Sequence, residues 1–87
     1  MNGRRTYPDF DGDWLDTFAE GDYCQDPQGK WLVRPPRSGF GYITFLGPRE
    51  NGWQVTEHED HTITATPSIK TATWHGFLER GVWREVP

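Results

Sequence analysis

Cys24 is the only cysteine, so disulfides within one chain cannot hold this protein together. There is one methionine, and leucine and isoleucine are scarce, which leaves little for an aliphatic core. No apolar run approaches the roughly 18 residues that a membrane span needs. Nothing near Met1 reads as a secretory signal. Basic residues are missing altogether between Asp9 and Asp26, where seven acidic ones stand (Asp9, Asp11, Asp13, Asp16, Glu20, Asp22, Asp26). The net charge is −4, opposite to the sign that phosphate neutralisation requires, so direct nucleic-acid binding is disfavoured. The expectation is one reduced, cytoplasmic domain whose 87 residues leave no room for a second core. An acidic stretch suits a basic protein surface or a hard cation.

Aromatics fill the gap left by the aliphatics: five Trp, five Phe and three Tyr. Each buried aromatic removes roughly 150–250 Å² from water, which suits a small β protein. Ten Gly and seven Pro supply frequent turns. Residues 1–8 read as a flexible arm. Asp13 to Glu20 reads as one short helix, with Asp13 as N-cap, Gly21 as stop, and Trp14, Leu15 and Phe18 as its apolar stripe. From Asp22 the signals are strand and turn. Tyr23–Gln25 and Lys30–Arg34 form a hairpin around Asp26-Pro27-Gln28-Gly29. Phe40–Leu46, apolar on both faces, predicts a central strand, and Gly47–Gly52 a loop.

Parity predicts the register of two further hairpins. With His58-Glu59-Asp60 as loop, Val55 opposes Ile63 and Trp53 opposes Ala65, giving one apolar and one Gln/Thr face. With Glu79-Arg80-Gly81 as loop, Leu78 opposes Val82 and Trp74 opposes Val86. His75, Phe77, Trp83 and Glu85 then share the other face. The predicted fold is mostly β with a minor α part: a small antiparallel sandwich or rolled sheet of about six short strands and one N-terminal helix.

Trp53, the Thr62-Ile-Thr-Ala-Thr-Pro-Ser-Ile69 run, Trp74-His-Gly-Phe-Leu78 and Gly81-Val-Trp83 together resemble a family of small phage and prophage proteins. Gly21-Asp-Tyr23 and Trp31 with Arg34-Pro-Pro36 are similar to the upstream part of its closer members. The resemblance implies a phage origin and no established activity. Wider relatives carry cysteines that look like metal ligands, often one just before the histidine. Here Trp74 precedes His75, so a zinc site is not carried over.

Five constellations are candidates for chemistry. Glu57, His58, Asp60, His61 and His75 are ligand types for zinc, against a polar hairpin tip with Glu57 and His61 as a cross-strand pair. Asp9, Asp11, Asp13, Thr17 and Glu20 fall at calcium-loop spacing, but Trp14 stands where that loop needs glycine. Cys24 or Ser68 beside a histidine lies in no nucleophile motif. Arg34-Pro-Pro-Arg37 is a polyproline ligand or a stiff loop. His75, Phe77, Trp83, Arg80 and Arg84, with Tyr42 or Trp31 nearby, form an aromatic recognition face, since Trp, Tyr and Arg dominate protein interfaces. The expected function is non-catalytic binding to a host protein, with counter-defence inhibition as one form and no cofactor. The alternatives are a zinc-type metal-dependent hydrolase or metal-binding protein, and a minor virion component.

Overall fold

Short runs of alternating apolar and polar residues, cut by Gly, Pro and Asp, build two four-stranded sheets. The computed structural model describes residues 1–39, 43–46 and 52–87. The first sheet runs β1 (Arg4–Arg5), β2 (Asp22–Gln25), β3 (Trp31–Val33) and β4 (Thr44–Leu46), in that spatial order. The second runs β5 (Gln54–Glu57), β6 (Ile63–Lys70), β7 (His75–Glu79) and β8 (Val82–Glu85). All pairings are antiparallel except β1 with β2. The protein is therefore a mostly β, two-sheet domain, as its patterning predicts.

The inner faces of both sheets share one core. Tyr23, Trp31, Val33 and Leu46 meet Ile63, Ala65, Ile69, Trp74, Leu78 and Trp83. Burying each large apolar side chain here contributes on the order of 1.5–3 kcal/mol. The outer face of the first sheet has its own smaller cluster, in which Phe18 covers Cys24 and Leu32, with Phe10, Trp14 and Ile43 packed against them.

The expected helix over 13–20 is reduced to a single 3-10 turn, Trp14–Thr17. Asp13 makes no side-chain capping bond, and Phe18 has already turned extended. So short a segment cannot sustain a helix alone, and its far end is claimed by other partners. Arg34 Nη1 donates to the Phe18 carbonyl at 2.5 Å, and the Ala19 amide donates to Asp22 Oδ2 at 2.9 Å. The buried Phe18 ring and these bonds fix the backbone outside helical geometry.

The first eight residues are not a free arm. Arg4 and Arg5 pair in parallel with Asp22 and Tyr23. Met1 exchanges backbone bonds with Trp83 on the edge of β8, its amino group donating at 3.1 Å and its carbonyl accepting at 2.8 Å. The Arg4 guanidinium donates twice to the buried carboxylate of Asp22, at 3.1 and 2.8 Å. Such a bidentate pair is geometrically selective. Low apolar content suggested a loose arm, and charge pairing orders it instead.

The first hairpin forms around its expected turn. Asp26 Oδ1 accepts the amides of Gln28 and Lys30, and Gly29 takes a left-handed φ of 88°. Among the described residues β4 is an edge strand, not a central one. Residues 40–42 of the expected central strand, with Tyr42, and 47–51 of the expected loop lie outside the described residues. The Thr66-Pro-Ser-Ile69 stretch is extended strand. It lies within β6, whose pairing with β7 shifts register between Ala65 and Ile69, so both hairpins join one sheet.

Candidate functional site

The β7–β8 hairpin decides which side chains are available at the aromatic face. Its register pairs Leu78 with Trp83, Phe77 with Arg84 and Glu79 with Val82. The loop is two residues, Arg80-Gly81, both with positive φ (46° and 76°), rather than the expected three. This is the primed turn geometry that matches strand twist. A Cβ on Gly81 would stand 2.7 Å from the Tyr23 hydroxyl, so space as well as conformation selects glycine. Moving the loop by one residue reverses the faces of β8. Trp83 is consequently 2% exposed, its ring edge-on to Trp74 with centroids 5.4 Å apart. Trp83 Nε1–H donates to the Gly21 carbonyl at 2.9 Å. Trp83 belongs to the core and not to a recognition face. Trp31 is likewise buried.

Phe77 remains outward, 36% exposed, with Arg84 stationed 5.9 Å from its ring centroid. Arg84 also pairs with Glu79. Val82 is exposed on the same face. Arg80 sits at the hairpin tip, its amide donating to Thr64 Oγ1 at 3.0 Å. Gln54, Thr56, Thr64 and Thr66 complete this outer face, because they pair across β5–β6 in the alternate positions.

The histidines do not converge. The tip of the β5–β6 hairpin is a three-residue loop, Glu59-Asp60-His61, one position later than expected. His58 N–H donates to the Thr62 carbonyl at 2.8 Å, and His61 rather than Asp60 takes the left-handed position, φ 69°. The register moves by two residues, Val55 opposing Ala65, so the predicted faces survive. His58 Nε2 lies 2.7 Å from Thr64 Oγ1, and His61 Nδ1 lies 3.5 Å from Glu57 Oε2. His75 pairs with Lys70 at the far end of β6 from Ile63. At about 3.3 Å per residue, a strand of that length separates the two ends by roughly 20 Å. There His75 Nε2 is 2.8 Å from Ser68 Oγ. Among the described residues no three His, Cys, Asp or Glu side chains stand together as metal ligands would.

Sequence reasoning missed Arg5. Its guanidinium lies between the Tyr7 and Trp31 rings, 4.8 and 4.7 Å from their centroids. It donates to Glu57 Oε2 at 3.0 Å and to the His61 carbonyl at 2.9 Å. One side chain thus ties the first sheet to the β5–β6 tip. The hydrogen bond from Arg5, helped by His61, holds the Glu57 carboxyl below the usual carboxylate range. Hydrogen bonds from Thr62 do the same for Asp60. Two shallow concavities flank this region. One, of about 320 Å³, is lined by Arg4 to Pro8 and Thr17. The other, of about 390 Å³, lies between the two hairpin tips and is lined by Glu57, His58, Glu59, Asp60 and Arg80.

Cys24 is fully buried, and burial pushes its thiol up to about 11. Little thiolate exists at neutral pH, so it behaves as a small hydrophobe rather than a nucleophile. No family model, curated protein or solved structure matches this chain.

Proposed function

We propose that this chain is a non-catalytic binding domain that acts on a host protein during phage infection or prophage carriage. It covers part of the partner's surface with the open outer face of the second sheet. Counter-defence inhibition is one form that such occlusion takes. The observation that supports this reading is the pairing of Phe77 with Arg84: an exposed aromatic carrying a guanidinium, beside exposed Val82 and Glu79, on a face whose β5–β6 part is Thr and Gln. Arginine is among the residue types enriched at interface hot spots, and buried aromatic anchors commonly carry the binding energy there. Of the residues named for the recognition face, Phe77 and Arg84 are its centre, with His75 and Arg80 at its two ends.

Affinity capture from host extract with the wild-type protein and with the double variant Phe77→Ala/Arg84→Ala tests this reading. The double variant should lose a specific partner at least about tenfold while still unfolding cooperatively, with a melting temperature lowered by no more than several degrees. A partner retained equally by both proteins overturns it. Near-stoichiometric transition metal in the purified protein would favour the metal-dependent hydrolase instead.

A further inference from the structure

We propose that the outer side of the first sheet is a second docking surface, and that its occupant is a cationic amphipathic segment of another protein. This surface lies across the sandwich from Phe77 and stands or falls independently of the function proposed above.

The inference begins with apolar side chains that the fold leaves about half exposed. Phe10, Trp14 and Phe18 form a chain of ring contacts, with centroids 4.9 and 5.4 Å apart, that descends onto Cys24 and Leu32. The 3-10 turn that aims Trp14 at the sheet points its neighbour outward, and Leu15 is 48% exposed. Phe45 lies in register with Leu32 and Cys24, hence on the same sheet face, and is 50% exposed. Scattered single apolar residues on a surface are ordinary. Here Phe45 lies on the sheet face that the half-covered Phe10, Trp14 and Ile43 pack against, and Leu15 stands on the turn that carries Trp14; exposed apolar side chains gathered around one sheet face mark an interaction site.

The charges around these side chains say what fits. Asp9, Asp11, Asp13 and Asp16 are exposed on the same segment, and among the described residues none of them forms an ion pair. Among the described residues, three arginines of this sheet and its flanking loop have partners other than these aspartates. Arg4 is held by Asp22, Arg34 Nη1 by the Phe18 carbonyl, and Arg37 by Glu85. An apolar strip inside an unbalanced negative rim is complementary to a segment with leucine or phenylalanine on one side and lysine or arginine on the other. Its sign repels nucleic acid and anionic lipid headgroups.

The probe is a synthetic peptide of Leu and Lys in amphipathic helical repeat, with two controls: Leu replaced by Ser, and Lys replaced by Glu. Binding is followed by calorimetry and by amide chemical shifts of the whole chain, at about 50 mM and about 300 mM salt. The Leu/Lys peptide should bind, with shifts centred on Trp14, Leu15, Asp16 and Phe45, and weaken several-fold at the higher salt. Leu15→Ser and the triple variant Asp11→Asn/Asp13→Asn/Asp16→Asn should each weaken it about tenfold, because only exposed side chains change. Their amide spectra away from the substitutions should stay wild-type. No binding overturns the proposal. So does equal binding of the Ser control, which would reduce the effect to charge alone. Shifts centred on Phe77 and Arg84 also overturn it and assign the peptide to the opposite face.

Discussion

Trp83 and Phe77 sit on neighbouring strands one register row apart and face opposite ways. Their substitution should separate core from surface. Trp83→Ala removes a buried ring, its edge contact with Trp74 and its hydrogen bond to Gly21. The expected loss is about 3–5 kcal/mol. Phe77→Ala removes a partly exposed ring and should cost no more than about 1 kcal/mol. Urea titration of both variants checks this, and similar losses for the two would mean that the faces are misassigned. Gly76 supports the same assignment. A Cβ there would stand 2.5 Å from the Trp74 ring and would also strike the Arg84 carbonyl, so the second tryptophan of the pair needs this glycine.

Among the elements, β1 has the largest influence for its two residues. Arg5 carries it across to β5, so the ionisation of Glu57 bears on the join between the sheets. Folding depresses the Glu57 pKa. A carboxylate with a depressed folded pKa stabilises above its unfolded pKa, and that contribution is lost as pH falls through the folded value. Glu57→Gln should therefore lower the melting temperature at neutral pH. The difference should close as pH falls below the usual carboxylate range, where Glu57 itself is neutral. A difference that persists unchanged into acid would show that the side chain acts through packing and not through Arg5.

The hairpins show which parts of these elements were legible in the sequence. The β5–β6 register was misplaced by two residues, yet its faces were right, because a shift of two preserves alternation. The β7–β8 register was misplaced by one, and every side chain of β8 changed face. The cause is Arg80. A non-glycine residue disfavours left-handed φ, which argues for a three-residue loop ending on Gly81. Burial of the Trp83 ring outweighs that local cost, since an indole removes more area from water than Val82 would. The β2–β3 turn was legible because Asp26 and Gly29 each have a local role there. The ordering of residues 1–5 was not legible, because its causes lie at Asp22, Glu57 and Trp83, far along the chain.

For the whole molecule, the site was legible only as a list of residue types. The sequence grouped three histidines that the sheet spreads over its length, and it placed on one face an aromatic pair that the sheet divides. It did identify the acidic segment from composition alone, and that segment also carries the rings that pack on the outer face of the first sheet. Its apolar part was hidden, because Leu15 reads as core in a helix and becomes outward only in a 3-10 turn.

The bonds between Met1 and Trp83 join residues 82 positions apart. Synthesis separates these partners by every strand of both sheets except β8. Tyr23, Trp31 and Val33 are all synthesised before the strands that cover them, and residues 1–3 gain their backbone partners only when Gly81 to Trp83 arrive. Non-local pairing of this kind places folding in the millisecond-to-second range. A chain stopped before Thr73 should show no cooperative thermal transition by circular dichroism; a sharp one would mean that the first sheet folds alone. During translation, any pause ahead of β7 lengthens the time for which the aromatic core stands open to other nascent chains.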